Sequence, residues 1–341
     1  MTSQIDHNVK LDFQDVLVVP RSSSVVSRKD VELQSLVETK SGVSFYGIPI
    51  IASNMHGVGT IEMAKALYHA GMFTCLTKDL SMKSLFSKLP DVNPLLYQHI
   101  IPTLGLRELK YLEERNLLFC LKVPVICLDV ANGYMELFAE YIEKVRENVG
   151  SGTCIIAGDV VTSEGVEILA HAGADVVKIG IGSGSLCTTR AKTGVGYPQL
   201  SALLDCYETA QQHNVAIISD GGCTCPGDIV KAFAAGADFV MLGGMLAGHI
   251  EGGSSDGDVR IHGSSSEQAM VTNYGSMDDY RTSEGREVTI PHRGKVLDTV
   301  LDILGGLRSG MSYIGARSIE EIHSRAQFVR VNHQLNTIFE K

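Results

Sequence analysis

Several things this 341-residue chain lacks narrow its chemistry. No apolar run approaches the about 20 residues of a membrane span, so no membrane partner is expected. The start, Met1-Thr-Ser-Gln-Ile-Asp-His7, has no basic end followed by an apolar stretch, so no secretory signal is expected. Positive charge is short: 29 Lys and Arg against 39 Asp and Glu leave a net charge of −10, which argues against a nucleic-acid partner. No strand-like run is followed by G-x-G-x-x-G and a later acid, which removes the main signal of an open dinucleotide-binding sheet. Eight cysteines are present without the pattern of a disulfide framework. Cys75, Cys127 and Cys154 lie in apolar strand-like runs, as reduced, buried thiols of a cytosolic (cytoplasmic) protein would. Cys223 and Cys225 form a C-x-C, but no matching Cys or His pair follows at zinc-finger spacing.

With 44% hydrophobic and 20% charged residues, the chain can build a sizeable core. Short apolar runs recur along it: Ile48–Ser53, Met72–Thr77, His99–Thr103, Pro124–Leu128, Thr153–Ala157, Asp175–Ile179, Val215–Ser219 and Asp238–Leu242. Helical spacing separates many of them, over Glu62–Tyr68, Met135–Asn148, Ser163–Ala172 (Ser163 as N-cap), Gln199–Asn214 and Gly227–Ala235. Gly71, Gly173 and Gly236 stand where helix C-caps are wanted. Eight strand–helix units predict an α/β fold, a (β/α)8 TIM barrel with its parallel strands buried on both faces. The predicted organisation is a single barrel domain over 1–341, with an N-terminal extension at 1–47 and a Gly/Ser-rich mobile lid at 251–285 after strand 8. Leu11–Pro20 reads as an opening strand or plug and Arg21–Arg28 as an exposed loop. Helices are expected at Lys295–Arg308 and Ser318–Phe339.

In such a barrel the chemistry lies at the C-terminal strand ends. Those ends carry Asn54, Lys78, Asp129, the loop after Lys178, Asp220-Gly221-Gly222 and Gly243-Gly244. The loop reads Lys178-Ile-Gly-Ile-Gly-Ser-Gly-Ser-Leu-Cys187-Thr-Thr-Arg190. Its glycines let a ligand approach the backbone, and Cys187 is a candidate nucleophile. Arg190 and nearby amides could favour its thiolate. Thr189 could pass a proton if a carboxylate stood behind it, and Glu284 could supply that when the lid closes. The glycine pairs after strands 7 and 8 suit a phosphate. Lys178 offers a competing Schiff-base chemistry, or is an interior lysine paired with Asp129 or another acid.

The motifs GIGSGSLCTTR at 180–190, SDGG at 219–222 and MLGG at 241–244 resemble the inosine-monophosphate dehydrogenase / guanosine-monophosphate reductase family. Arg190-Ala-Lys-Thr-Gly-Val-Gly-Tyr-Pro-Gln199 resembles the reductase branch. So do Ser283-Glu-Gly285 with Ile303–Leu307, and the short link from Lys78 to Gln98, where dehydrogenases usually insert two CBS repeats. The resemblance implies a homotetrameric oxidoreductase of purine salvage, converting GMP and NADPH to IMP, NADP and ammonia. Cys187 would form a thioimidate at purine C2, NADPH would reduce it, and Thr189 with Glu284 would move the proton. It implies GMP contacts at Ser185, Asp220, Gly221, Gly222, Gly243, Gly244, Gly263, Ser264, Ser265, Arg281, Thr282, Ser283 and Gly285. For the cofactor it implies Lys78, Asp129, Val130, Ala131, Ile181, Gly182, Ser264, Tyr280 and Arg281. At the adenosine end it implies Ser27, Arg28, Ser309, Gly310, Met311 and Ser312, across a subunit boundary. Carbonyls of Gly182, Gly184 and Cys187, near Arg190, resemble a potassium site. His56 and Gly57 depart from the family, where Asp and Thr are common, and so does Gly263-Ser-Ser265, where methionine is usual in the middle.

Three other readings compete. An IMP dehydrogenase without its regulatory module would reduce NAD with IMP. A Lys178 lyase would be trapped by borohydride. A non-catalytic binding protein would bind GMP without turnover.

Overall fold

The structure is a computed structural model that describes residues 5–81, 93–118, 121, 123–254, 257–263, 266 and 282–334. Its centre is one all-parallel sheet: β4 (Ile50–Ala52), β5 (Phe73–Cys75), β6 (Ile100–Ile101), β7 (Thr103–Leu104), β8 (Val125–Leu128), β9 (Cys154–Val160), β10 (Val176–Ile179), β11 (Ala216–Asp220) and β12 (Phe239–Leu242). The sheet order begins at β6 and ends at β7. These two pieces are separated only by Pro102, which has no N–H to give a neighbour. They are two halves of one strand, so the sheet closes on itself as the expected eight-stranded barrel. The carbonyl of Pro102 still accepts from Cys127 N at 2.8 Å and carries the ladder across the break.

Strand residues alternate between two cores. Ile51, Phe73, Cys75, Ile101, Cys127, Ile156, Val176, Ile218 and Met241 fill the barrel interior, and Ile50, Ala52, Ile126, Val177 and Ile217 face the helices. The interior is sealed from the N-terminal end by Phe45 on the hairpin β2 (Ser35–Glu38) and β3 (Ser44–Gly47). Its ring meets Phe73 at 5.5 Å and Phe239 at 5.1 Å, both edge-on. The plug is therefore this hairpin. Leu11–Pro20 instead forms a 3-10 turn and β1 (Val16–Val18), which pairs antiparallel with β15 (Phe328–Arg330). Arg21–Ser27 is largely exposed, as a loop should be.

The outer helices are α1 (Ile61–His69), α2 (Pro94–Tyr97), α3 (Leu106–Glu114), α4 (Glu136–Val149), α5 (Ser163–Ala172), α6 (Thr189–Thr193), α7 (Gln199–Gln212), α8 (Pro226–Ala234), α9 (Val296–Ile314) and α10 (Glu320–Arg325). Gly71, Gly173 and Gly236 all have positive φ just past a helix end, as the sequence requires of them. Three expectations are corrected. The N-cap of α5 is Thr162, whose side chain accepts from Gly165 N, because Ser163 Oγ donates instead to Asp205 O at 2.7 Å. The helix expected to stop at Arg308 runs on to Ile314, since Gly306 and Gly310 let it press against Pro226 and Val230 of α8. Among the described residues the expected closing helix is α10 alone, because Phe328–Arg330 finds the free edge of β1 and pairs there, while 335–339 lie outside the described residues. Among the described residues no helix is long and apolar enough to cross a membrane.

Of the expected lid, the described residues form its base. β13 (Val259–His262) pairs antiparallel with β14 (Glu287–Ile290). Residues 264–265 and 267–281 lie outside the described residues.

Candidate active site

The loop after β10 gathers the expected reactive groups. The Cys187 thiol donates to Thr189 Oγ1 at 3.1 Å, and that hydroxyl donates to Glu284 Oε2 at 2.8 Å. Backbone bonds hold Glu284 there. Thr188 N donates to Glu284 O at 2.7 Å, Arg286 N donates to Leu186 O at 2.9 Å, and Cys187 bridges Gly285 as a short antiparallel pair. Arg286 adds side-chain bonds to Ser185 O at 3.1 and 2.6 Å. Glu284 was expected to arrive on closure of a lid; the end of that segment is already docked on the cysteine loop. Thr282 and Ser283 lie beside it, and Ser283 Oγ donates to Gly285 O. Gly263 packs against Gly285: a Cβ on Gly263 would stand 3.0 Å from the Gly285 Cα.

Arg190 has a structural task. Its guanidinium donates to Asp12 at 2.9 Å and to the Tyr197 carbonyl at 2.5 Å. The chain tucks its stem against Gly182, which has φ of +80°, and a Cβ there would lie 2.7 Å from Arg190 Cγ. Arg190 thus stiffens the loop. As a cation it would offer an alkali ion only its backbone carbonyl, which accepts from Gly194 N at 3.2 Å. Carbonyls such as those of Gly182, Gly184 and Cys187 are the hard donors an alkali cation takes, although the Gly184 carbonyl also accepts from Cys187 N.

Beneath the loop lies a buried ionic cluster. Lys178 comes from the middle of β10, and the absence of a side chain at Gly158 makes room for it: a Cβ there would sit 2.5 Å from Lys178 Cβ. Lys178 Nζ reaches Asp159 at 2.7 Å, Asp129 at 2.8 Å and Asp220 at 3.0 Å, with its own side chain only 2% exposed. Lys78 Nζ meets Asp129 again, at 3.1 Å to the carboxylate and 3.0 Å to the backbone carbonyl. One chain of charges therefore runs from the strand-2 end to the strand-7 end. Burial opposes charge on Lys178, but its three carboxylates outweigh that and hold its pKa well above the usual lysine value. Burial likewise opposes charge on Asp129, yet Lys178 and Lys78 keep its carboxyl below the ordinary range. Asp159 goes the other way. Burial lifts its pKa to about 7, with Asp220 and Asp129 adding to the rise and Lys178 opposing it. A Schiff base needs a neutral amine, and three carboxylates keep Lys178 charged, which removes the support for the lyase reading.

Asp220 is turned toward the loop by Ser183 Oγ, which donates to the Asp220 carbonyl at 3.0 Å. Gly221 and Gly222 follow at φ of +88° and +83°. Gly244 lies against Ser185, whose Oγ would be 2.5 Å from a Cβ placed there. The glycine ends of strands 7 and 8 thus face the cysteine loop with bare backbone, the kind of cradle a phosphate fits. Val130 is buried, while Ala131 is exposed and Ile181 half-buried.

Ser27 caps the 3-10 turn Arg28–Asp30, and Arg28 with Lys29, Val31, Glu32 and Arg308 lines a cleft of about 440 Å³. Three cations around one cleft suit a phosphate ester. Ser309 and Ser312 follow on α9, half-buried, whereas Met311 is fully buried and Gly310 packs on Val230, so these two serve the core. Ser264, Ser265, Tyr280 and Arg281 lie outside the described residues. His56 faces His262 with ring centroids 5.3 Å apart, and burial, then the neighbouring ring, lowers its pKa. Sequence reasoning left out Asp159, although it ends a barrel strand just as Asp129 and Asp220 do. It also left out Arg286, one residue past the expected lid, and Arg308.

Comparison with known proteins gives the same direction. The family model described as the IMP dehydrogenase / GMP reductase domain matches residues 10–336. The chain is 48% identical to GMP reductase 2 of Homo sapiens over 343 residues, covering 98% of each. It is 46% identical to GMP reductase of Caenorhabditis elegans, covering 98% of this chain and 96% of the relative. It is 45% identical to GMP reductase of Klebsiella pneumoniae, covering 98% and 99%.

Proposed function

The chain belongs to the IMP dehydrogenase / GMP reductase family, and within it we propose that it reduces GMP to IMP with NADPH and releases ammonia. The relay Cys187–Thr189–Glu284 is the observation that carries this reading. Overall, GMP, NADPH and one proton become IMP, NADP and ammonia, the C2 amine being replaced by hydrogen. Each donor in the relay points one way, thiol to hydroxyl to carboxylate. A shift of two protons along it leaves a thiolate and a protonated Glu284. The thiolate adds to purine C2, and Glu284 returns its proton through Thr189 to the departing amine. That leaves the thioimidate on Cys187, and the sulfur leaves when C2 is reduced. When bound, NADPH supplies the hydride for that reduction.

The cradle of Asp220, Gly221, Gly222, Gly243, Gly244 and Ser185 would hold the ribose phosphate of GMP. Thr282, Ser283, Gly285 and Gly263 would close over the base. Lys78, Asp129, Val130, Ala131, Ile181 and Gly182 would meet the nicotinamide end. Ser27 and Arg28 would take the adenosine end, where three cations favour a 2′-phosphate and hence NADPH. The carbonyls of Gly182, Gly184 and Cys187 would hold potassium and so fix the loop. Exposed Leu297 and Leu301, one turn apart on α9, would lie between copies in the tetramer that the family resemblance implies. The reading as an IMP dehydrogenase is not favoured, since the relatives named above are GMP reductases over nearly their whole length.

The test mixes the protein with GMP, NADPH and potassium and follows nicotinamide absorbance together with ammonia. GMP-dependent oxidation with one ammonia per NADPH is expected. Folded protein that shows none, or that reduces NAD with IMP instead, overturns the assignment.

A further inference from the structure

The barrel foot, where β10 and β11 begin, holds a group that the catalytic reading does not use. Glu167 and His171 are one turn apart on α5, so both point from the same face of the helix. His213 stands just past the end of α7, its backbone N tied to Thr209 O at 3.1 Å. One ligand atom from each of the three residues lies within 4.8 Å of the other two. The imidazoles of His171 and His213 meet edge-on, with centroids 4.9 Å apart at 86°. None of the three side chains makes a hydrogen bond or ion pair with another described residue. Glu167 and His171 are exposed and His213 is half-buried, so an ion can enter from solvent.

We propose that Glu167, His171 and His213 form a binding site for a divalent transition ion of the zinc class. Two imidazoles and one carboxylate are borderline donors, which suit zinc far better than calcium or magnesium, since those ions take oxygen ligands. Around tetrahedral zinc, with bonds of about 2.0–2.2 Å, ligand atoms stand roughly 3.4 Å apart. Reaching that spacing calls for rotation of the exposed Glu167 and His171 side chains toward the half-buried His213. Three protein ligands leave a fourth position for water. The glycine and cysteine loops lie at the opposite end of the strands, so the ion would staple α5 to α7 and leave catalysis alone. A ligand bound only by the folded form raises stability by mass action.

The test is zinc titration by calorimetry on the full chain carrying Cys187→Ala and Cys225→Ser, so that the reactive and exposed thiols do not compete. One ion per chain is expected, with Kd below about 10 μM. Adding His171→Ala or His213→Ala should weaken it at least about 30-fold, and Glu167→Gln by roughly tenfold. Cobalt in place of zinc should give visible bands that vanish in the same variants. In the chain with its thiols intact, His171→Ala should leave GMP turnover unchanged and remove the rise in Tm that zinc produces. Zinc binding weaker than millimolar, or affinity unchanged within threefold in both histidine variants, overturns the site.

Discussion

Two parts of the site, stacked one above the other, work by different physics. The upper part is a relay of polar contacts on loops: Cys187, Thr189 and Glu284, held by backbone bonds between two segments nearly a hundred residues apart. The lower part is an ionic floor, with Lys178 of β10 sealed among Asp129, Asp159 and Asp220 at the ends of three other strands. The relay offers a continuous path for a proton, because thiol, hydroxyl and carboxylate follow one another in hydrogen-bond contact. The floor is instead held together by charge, since removing its central cation leaves carboxylates facing one another. Chemistry is thus carried by the hydrogen-bonded path, and position by the ionic cluster.

Breaking the relay should stop turnover without unfolding the barrel. Cys187→Ala should lower kcat by at least about 10⁴-fold, with melting temperature within a few degrees of the parent, as read by NADPH oxidation and a thermal scan. Breaking the floor should do the reverse. Lys178→Met leaves three half-buried carboxylates facing one another, with only Asp129 keeping a cation in Lys78, and should cost about 3 kcal/mol of stability by denaturant titration. It should also weaken GMP and NADPH together, each by roughly tenfold, since Asp220 and Asp129 lose the same anchor. If Lys178→Met instead lowered only kcat, the division between the two parts would fail.

A smaller effect sharpens the comparison through pH. Asp159 has a folded pKa of about 7, above its ordinary value of 3.8. The folded state therefore holds an extra proton between those values, and its stabilising effect is present at low pH and lost as pH rises through 7. The denaturant midpoint should fall between pH 5.5 and pH 8, by the equivalent of at most about 2 kcal/mol. Asp159→Asn should flatten that fall; an equal fall in both proteins would place the titration elsewhere.

The relay was far more legible in the sequence than the floor. Cys187, Thr189 and Arg190 are neighbours in a glycine-rich stretch, so composition alone marks the loop. Glu284 was legible only as a carboxylate that a closing lid could bring, and the family resemblance strengthened it, because nothing local ties a residue of the Gly/Ser-rich segment to a cysteine so far upstream. Lys178 was readable as an interior lysine with an acidic partner. Asp159 was not, since single acids on separate strands have no shared local pattern and only closure of the barrel brings them to one nitrogen. The barrel itself was legible from eight apolar runs and three capping glycines. The third strand's break at Pro102 and the switch of Phe328–Arg330 from helix to strand were not, because each is decided by a partner distant in the chain.

The most direct measurement of the central claim is a kcat and GMP-affinity comparison for Glu284→Gln. The amide keeps the size of Glu284 and can still accept from Thr189 Oγ1, but it cannot take up the proton. The account predicts kcat lower by at least about 100-fold with GMP Kd within threefold of the parent. Turnover within a few-fold of the parent would contradict the relay, whatever the geometry of the loop.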